Sequence, residues 1–422
     1  MLIFILFIVL LLIGVPIALV LGITSILYII LSDNMGLLLT APQRLFSGIE
    51  SNGLIAIPLF MLAGELMNSG GITKRLISFS QVLLGHYRGG LAYVNVVANM
   101  FLASIIGSAT AQIAMMSKMM VPAMEKEGYK KEFSTSITAA SGILGPIIPP
   151  SMMFIIYGVT SGQSIGTMFL AGIIPGVLLI VGYIALISFI GYKHNLPISQ
   201  KQPLSKLFTS LFQVLPALLV PIVIIVGILG GIFTPTESAA IACLIAFIVG
   251  FAYRELGVKD IPSIFINTTH STAIVTLLIA MASLFGWVLT FEGVPQAISE
   301  WMITLTENPL LFLLLLNILL LLIGTVMDGI AALIILVPIF SPLLPLYDID
   351  PIHFGVIISI NLTIGLLTPP VGTGLFIASS ISGVKFESLS KAILPFLGVA
   401  LLVLILLTYF PQLVLWIPSM AN

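Results

Sequence analysis

Charge is scarce in this sequence. Of 422 residues, 7% are Asp, Glu, Lys or Arg and 59% are hydrophobic. Soluble domains carry about 25% charged residues, so a water-soluble fold of this size could not solvate its surface. Cys243 is the only cysteine, which excludes a disulfide within the chain and any cysteine-based metal site. The four histidines (His86, His194, His270 and His353) are scattered without ligand spacing. A net charge of −1 offers nothing to nucleic acid. The sequence has no His-Glu-x-x-His, and neither His270 nor His353 has a nucleophile motif beside it, which argues against an intramembrane protease. The longest polar stretch, Lys193 to Lys206, is too short to fold alone.

What abounds is apolar length, with a mean hydropathy of +1.23. Roughly 20 apolar residues cross a bilayer core. Residues 2–31, 209–236 and 392–417 contain no Asp, Glu, Lys, Arg or His. The fold class expected is an all-α polytopic membrane protein. The N-terminus lacks the basic flank of a secretory signal and its apolar run is too long for one, so 2–31 reads as a first membrane helix. Trp287, Trp301 and Trp416 read as interfacial anchors.

Landmarks recur at a nearly constant offset. Pro149-Pro150 and Pro369-Pro370 stand about 220 residues apart, as do Pro175 and Pro395, Gly64 and Gly286, Gly107 and Gly324, and Pro16 and Pro235. This predicts two repeats, 1–192 and 207–422, joined by a basic loop at 193–206. The stretch 89–124 is flanked by His86, Arg88, Lys126, Lys130 and Lys131, which places both its ends in the cytoplasm. It breaks at Gly107-Ser-Ala-Thr-Ala-Gln112, and arms of about 15 residues reach only about 22 Å, so it reads as a re-entrant hairpin. Its counterpart, 309–346, is flanked by Glu300, Glu307, Asp348 and Asp350. No Lys or Arg lies between Lys259 and Lys385. That hairpin should open to the other side, making the repeats inverted in topology, a plan common among secondary transporters. Broken helices are expected at 132–160 and 353–382, interfacial segments near 72–85 and 292–306, and spanning helices at 53–69, 166–192, 209–230, 236–253, 271–290 and 392–417.

Broken backbone survives at membrane depth only where it is buried or lines a polar cavity. Each half supplies one hairpin tip and one Gly/Pro-rich helix break, and a tip meeting a break makes an oxygen cage suited to a hard cation. Ordinary kinks would not fall in symmetry-related places. Asp328, at the second tip, is a carboxylate near the bilayer interior that either helps hold a cation or caps the following helix. Thr234-Pro235-Thr236-Glu237 reads as a capping box. Glu65 reads as interfacial or packed, and Met115, Met116, Met119 and Met120 as hairpin packing.

The sequence resembles the large membrane subunit (DctM type) of the tripartite ATP-independent periplasmic (TRAP) transporters over essentially its full length. The likeness is carried by Ala56-Ile-Pro-Leu-Phe-Met-Leu-Ala-Gly64, Gly107-Ser-Ala-Thr-Ala111, Gly145-Pro-Ile-Ile-Pro-Pro-Ser151, Thr234-Pro-Thr-Glu237 and Leu367-Thr-Pro-Pro-Val-Gly372. It implies an elevator-type carrier of the bacterial inner membrane, driven by a sodium gradient, with Na⁺ as coupling ion and no other cofactor. It implies two partners, a small four-helix membrane subunit on a separate chain and a periplasmic substrate-binding protein. The substrate would be an organic acid: a C4-dicarboxylate, sialic acid, or another sugar or keto acid. Carried over by motif, one sodium site falls on Ser108, Thr110, Gly145 and Pro149, and the other on Gly324, Asp328, Thr368 and Thr373. The substrate region falls between the tips, near Ala109, Pro150, Ser151, Thr325 and Gly372. A stand-alone sodium- or proton-coupled dicarboxylate carrier of similar plan is the alternative, and a passive channel fits two half-site cages less well.

Overall fold

A computed structural model describes residues 2–32, 35–198 and 203–421. Of the connecting loop 193–206, residues 199–202 lie outside the described residues. Among those described, the structure is helical, with a single isolated bridge between Arg88 and Ile198.

The chain opens with α1 (Leu2–Leu12), α2 (Ile17–Leu31), α3 (Gly36–Ile49), α4 (Ala56–Ser69) and α5 (Ile72–Leu84). The single helix expected over 2–31 is therefore two. Gly14 sits at φ +84°, and Pro16 has no N–H to continue the ladder. Helix α3, which the sequence reading left out, carries Pro42 within it. Next come α6 (Gly90–Ile106), α7 (Ala109–Lys126), α8 (Lys131–Gly142), α9 (Met152–Ser161) and α10 (Ile165–His194). The order then runs α11 (Leu204–Leu229), α12 (Pro235–Ala252), α13 (Ile261–Phe291), α14 (Val294–Leu305), α15 (Pro309–Val326) and α16 (Gly329–Phe340). It ends with α17 (Pro351–Gly365), α18 (Thr373–Ser382), α19 (Phe386–Tyr409) and α20 (Pro411–Ala421). Helix α13 begins ten residues before the expected 271. The last expected helix, 392–417, is divided at Pro411, which cannot donate to the preceding turn.

By length and composition, 7 helices among the described residues can cross a bilayer. Their outward faces are apolar, as lipid requires: Leu219 and Ile222 on α11, Leu314 and Ile318 on α15, and Leu402 and Ile405 on α19 are all exposed. The polar backbone ends are capped locally. Thr234 Oγ1 accepts from Glu237 N at 3.3 Å while Glu237 Oε2 accepts from Thr234 N at 2.8 Å, which is the capping box expected from the sequence. Asp350 Oδ1 likewise accepts from Ile352 N and His353 N at the start of α17.

Two groups of helices make up the packing. In the outer group, α4 packs on α12 and α13, α2 and α3 pack on α13, and α11 bridges α5 and α12. In the inner group, α7 packs on α8 and α15 on α17. The inner group is interlocked, because α7 also packs on α18 and α16 on α9. Met116 and Met120 are buried in this core, as their reading as packing residues requires. Lys118, on the same helix, stays exposed.

Candidate functional site

Both hairpins turn in two residues between helices. At the first tip, Gly107 caps α6 at φ +63°, a conformation that suits glycine. Ser108 then runs extended and caps α7, its Oγ accepting from Ala111 N at 3.5 Å and lying 3.2 Å from Thr110 Oγ1. The break between α8 and α9 presses against this tip. A Cβ on Gly145 would stand 2.6 Å from Gln112 Oε1 and 3.3 Å from the Ser108 carbonyl oxygen. A side chain here would crowd the Gln112 amide and tighten the approach of the two backbones.

Gln112 is the residue at this site that the sequence reading did not single out. Its Nε2 donates to Asn99 O and Asn99 Oδ1, both at 2.8 Å. Asn99 Nδ2 donates on to Asn95, and Asn95 Nδ2 to Thr138 Oγ1 at 2.6 Å. The amide is thus held with its Oε1 toward Gly145, and that buried oxygen has no hydrogen-bond partner. Buried acceptors are mostly paired, so this one calls for an explanation. The first junction therefore brings together Ser108, Gly145 and Gln112, with Thr110 beside Ser108. Pro149 follows in the same break, and its bond to Pro150 is cis, as is Pro369-Pro370.

The second tip is built the same way. A Cβ on Gly365 would lie 2.5 Å from the carbonyl carbon of Gly324 and 2.6 Å from its Cα. Gly372, at φ +59°, donates its N–H to the carbonyl of Thr325 at 3.1 Å. Thr373 Oγ1 is buried without a hydrogen-bond partner, which leaves a free oxygen beside this junction. Thr368 Oγ1 donates to Ile364 O at 3.0 Å. A buried amide again supports the tip from behind, with Asn361 Nδ2 donating to Asn317 Oδ1 at 2.6 Å and Asn317 Nδ2 to Thr408 Oγ1 at 3.0 Å. Asp328 caps α16, its Oδ1 accepting from Ile330 N at 3.0 Å and from Ala331 N at 3.5 Å. Both capping bonds fall on one carboxylate oxygen.

Between the first tip and the outer helices lies a cavity of about 410 Å³. Ser108 and Ala111 line it from the first hairpin, Met152 from α9 and Ile330 from the start of α16. Of the expected substrate region, Pro150 lines an adjoining narrow gap with Gly107 and Phe60. Ala109 is buried at the helix start. The Ser151 hydroxyl turns inward, donating to the Pro146 carbonyl. Thr325 and Gly372 bond each other at the second junction rather than lining this cavity. The outer wall was not legible in the sequence. It consists of Glu65 and Asn68 on α4 with Thr268 and Ser271 on α13, so Glu65 faces the cavity instead of serving as an interfacial or packing residue. Larger clefts of about 640 and 600 Å³ lie near Lys193 and Arg88 at the basic end of the molecule, away from both tips.

The family model described as the DctM component of the tripartite ATP-independent periplasmic transporter matches residues 4–413. The sialic acid TRAP transporter large permease protein SiaM of Vibrio cholerae is 38% identical over 408 residues, covering 96% of this chain and 95% of that protein. The isethionate TRAP transporter permease protein DctMQ of Oleidesulfovibrio alaskensis is 39% identical over 403 residues, 95% of this chain and 63% of that longer protein. Among solved structures, the YdaH transporter of Alcanivorax borkumensis superposes with a TM-score of 0.60 at 17% identity, covering 90% of this chain and 89% of that one. That likeness is one of fold.

Proposed function

We propose, given that this chain belongs to the DctM component family of the tripartite ATP-independent periplasmic transporters, that it is the large permease subunit of a sodium-driven, binding-protein-dependent importer of a small organic acid. It is a multi-pass protein of the inner membrane. Its partners would be a small four-helix membrane subunit and a periplasmic binding protein that delivers the acid. The longer DctMQ relative supports a second membrane component.

The chemistry follows from the two junctions. Na⁺ is a hard cation that takes carbonyl and hydroxyl oxygens. Ser108, Thr110, Gly145, Pro149 and Gln112 would hold one ion. Gly324, Asp328, Thr368 and Thr373 would hold the other, mostly through the backbone. Filling a cage ties a tip to its break, and this sets the start of α7 toward the cavity, where the positive end of its dipole favours a carboxylate. The inner group of helices would then carry ions and acid past the outer group in an elevator movement, with the halves 1–192 and 207–422 inverted relative to one another.

The observation that carries this reading is the unpartnered Gln112 Oε1 facing the Gly145 backbone beside the Ser108 carbonyl. The test is uptake into proteoliposomes holding both membrane subunits, with the binding protein outside and a panel of organic acids. An inward sodium gradient should drive accumulation that vanishes in choline chloride. Accumulation indifferent to sodium would overturn the proposal, and accumulation without the binding protein would favour a stand-alone carrier.

A further inference from the structure

The cleft of about 640 Å³ at the basic end lies between α8, α10 and α19. Helix α19 packs on both α8 and α10, so the cleft belongs to one packed unit. Its chemistry changes along its length. Lys130 lines it at the start of α8 and Lys193 near the end of α10. Leu186, Phe189 and Ile190 continue the α10 wall, with Leu186 about 10 Å from Lys193 at 1.5 Å per residue. Phe133 and Phe396 close the other wall, their ring centroids 6.1 Å apart. Phe189 is 67% exposed, so the apolar part opens on the bilayer. The cations are uncommitted. Lys130 and Lys193 are exposed, and neither is in an ion pair among the described residues, whereas Lys131 pairs with Glu125 at 3.7 Å. In the neighbouring cleft Arg88 is already engaged, donating to Asn195 Oδ1 at 2.9 Å. No side chain caps the start of α8, which leaves its first-turn N–H groups open to an anion.

We propose that this cleft seats an anionic phospholipid of the cytoplasmic leaflet, phosphatidylglycerol, with its phosphodiester against Lys130, Lys193 and the start of α8 and an acyl chain along Phe189 and Phe396. Basic pockets between membrane helices on the cytoplasmic side are suited to anionic head groups, and the basic residues around this end place it in the cytoplasm. Glu132 is the one acid that lines the cleft, in the first turn of α8 where the helix dipole favours it. Two lysines and one glutamate leave a single net positive charge, which a phosphodiester offsets. A zwitterionic lipid would bring its own ammonium against the lysines, and a small soluble anion would leave the apolar length unfilled. Seated there, the lipid ties α8 to α10 at the membrane surface and stabilises the fold. The inference does not depend on sodium coupling or on the substrate.

The test is thermal unfolding of the purified full-length chain in neutral detergent, titrated with phosphatidylglycerol or with phosphatidylethanolamine of the same acyl chains. Phosphatidylglycerol should raise the melting temperature saturably, with an apparent affinity at least about tenfold above that of phosphatidylethanolamine. The gap should close in potassium chloride at about 1 M, where charges are screened within about 3 Å. K130Q/K193Q should lose about tenfold or more of the phosphatidylglycerol affinity and keep the phosphatidylethanolamine response. Its unliganded melting temperature should stay near wild type, because both side chains are exposed. K74Q/K126Q, which removes the same charge outside the cleft, should leave the preference intact. Equal binding of the two lipids by the wild type, or a preference indifferent to salt, overturns the inference. So does an unchanged preference in K130Q/K193Q, or an equal loss in K74Q/K126Q, which would mean diffuse attraction to the basic face.

Discussion

Gly365→Ala probes the second junction most sharply. The added Cβ would sit 2.5 Å from the Gly324 carbonyl carbon, where carbon atoms rest at about 3.5 Å. Tip and break must therefore part by about 1 Å. That movement stretches the 3.1 Å bond from Gly372 N to Thr325 O to about 4 Å, outside hydrogen-bond range. Overpacking alone costs about 1–3 kcal/mol, and the lost bond adds about 1 kcal/mol. The empty protein can relax by opening the junction, whereas the filled cage needs it closed, so the penalty falls on the sodium-bound state. At about 2 kcal/mol, sodium half-saturation should rise about thirtyfold. Sodium-dependent uptake in proteoliposomes reads this directly, with Gly398→Ala as control because a Cβ there meets nothing within 4 Å. A half-saturation within threefold of wild type in G365A would refute the placement of a cation at this junction.

Other variants test the remaining parts. Gln112→Leu removes the orphaned oxygen and both bonds to Asn99, and should weaken sodium dependence by about tenfold or more, at about 1–3 kcal/mol for a buried polar group. Asp328→Asn keeps an acceptor for the cap but removes the charge. It should raise sodium half-saturation with little loss of thermal stability, while unchanged sodium dependence would reduce Asp328 to a helix cap. Thr234→Ala breaks the capping box and should lower stability by about 1 kcal/mol, with the sodium dependence of uptake unaltered.

Glycine and proline made much of this architecture readable. Gly107-Ser108 and Met327-Asp328 interrupt apolar runs, and the Pro-Pro pairs mark the breaks, so the helix ends there fall within a few residues of the expected ones; the stretches Pro309–Val326 and Gly329–Tyr347, expected as re-entrant arms, are each long and apolar enough to cross a bilayer. Thr234 and Glu237 announced their own cap. The misses have physical causes too. The apolar run through 2–31 hid the turn at Gly14 and Pro16 because lipid-facing and turn residues there are equally apolar. Helix α13 carries a polar run two turns in, with Asn267, Thr268, Thr269, His270 and Ser271 together, which read as loop although Thr268 and Ser271 line a cavity. Glu65 and Gln112 sit on helical faces whose neighbours are set by tertiary packing alone, which local spacing cannot supply.

The claim beneath all of this is that the two hairpins enter the membrane from opposite faces. With the lone Cys243 replaced by serine, single cysteines at Lys126 and Asp348 can be labelled in right-side-out and inverted vesicles with an impermeant maleimide. The expected result is opposite accessibility, position 126 reacting only from the cytoplasmic face and position 348 only from the periplasmic one. Labelling of both from the same face would contradict it.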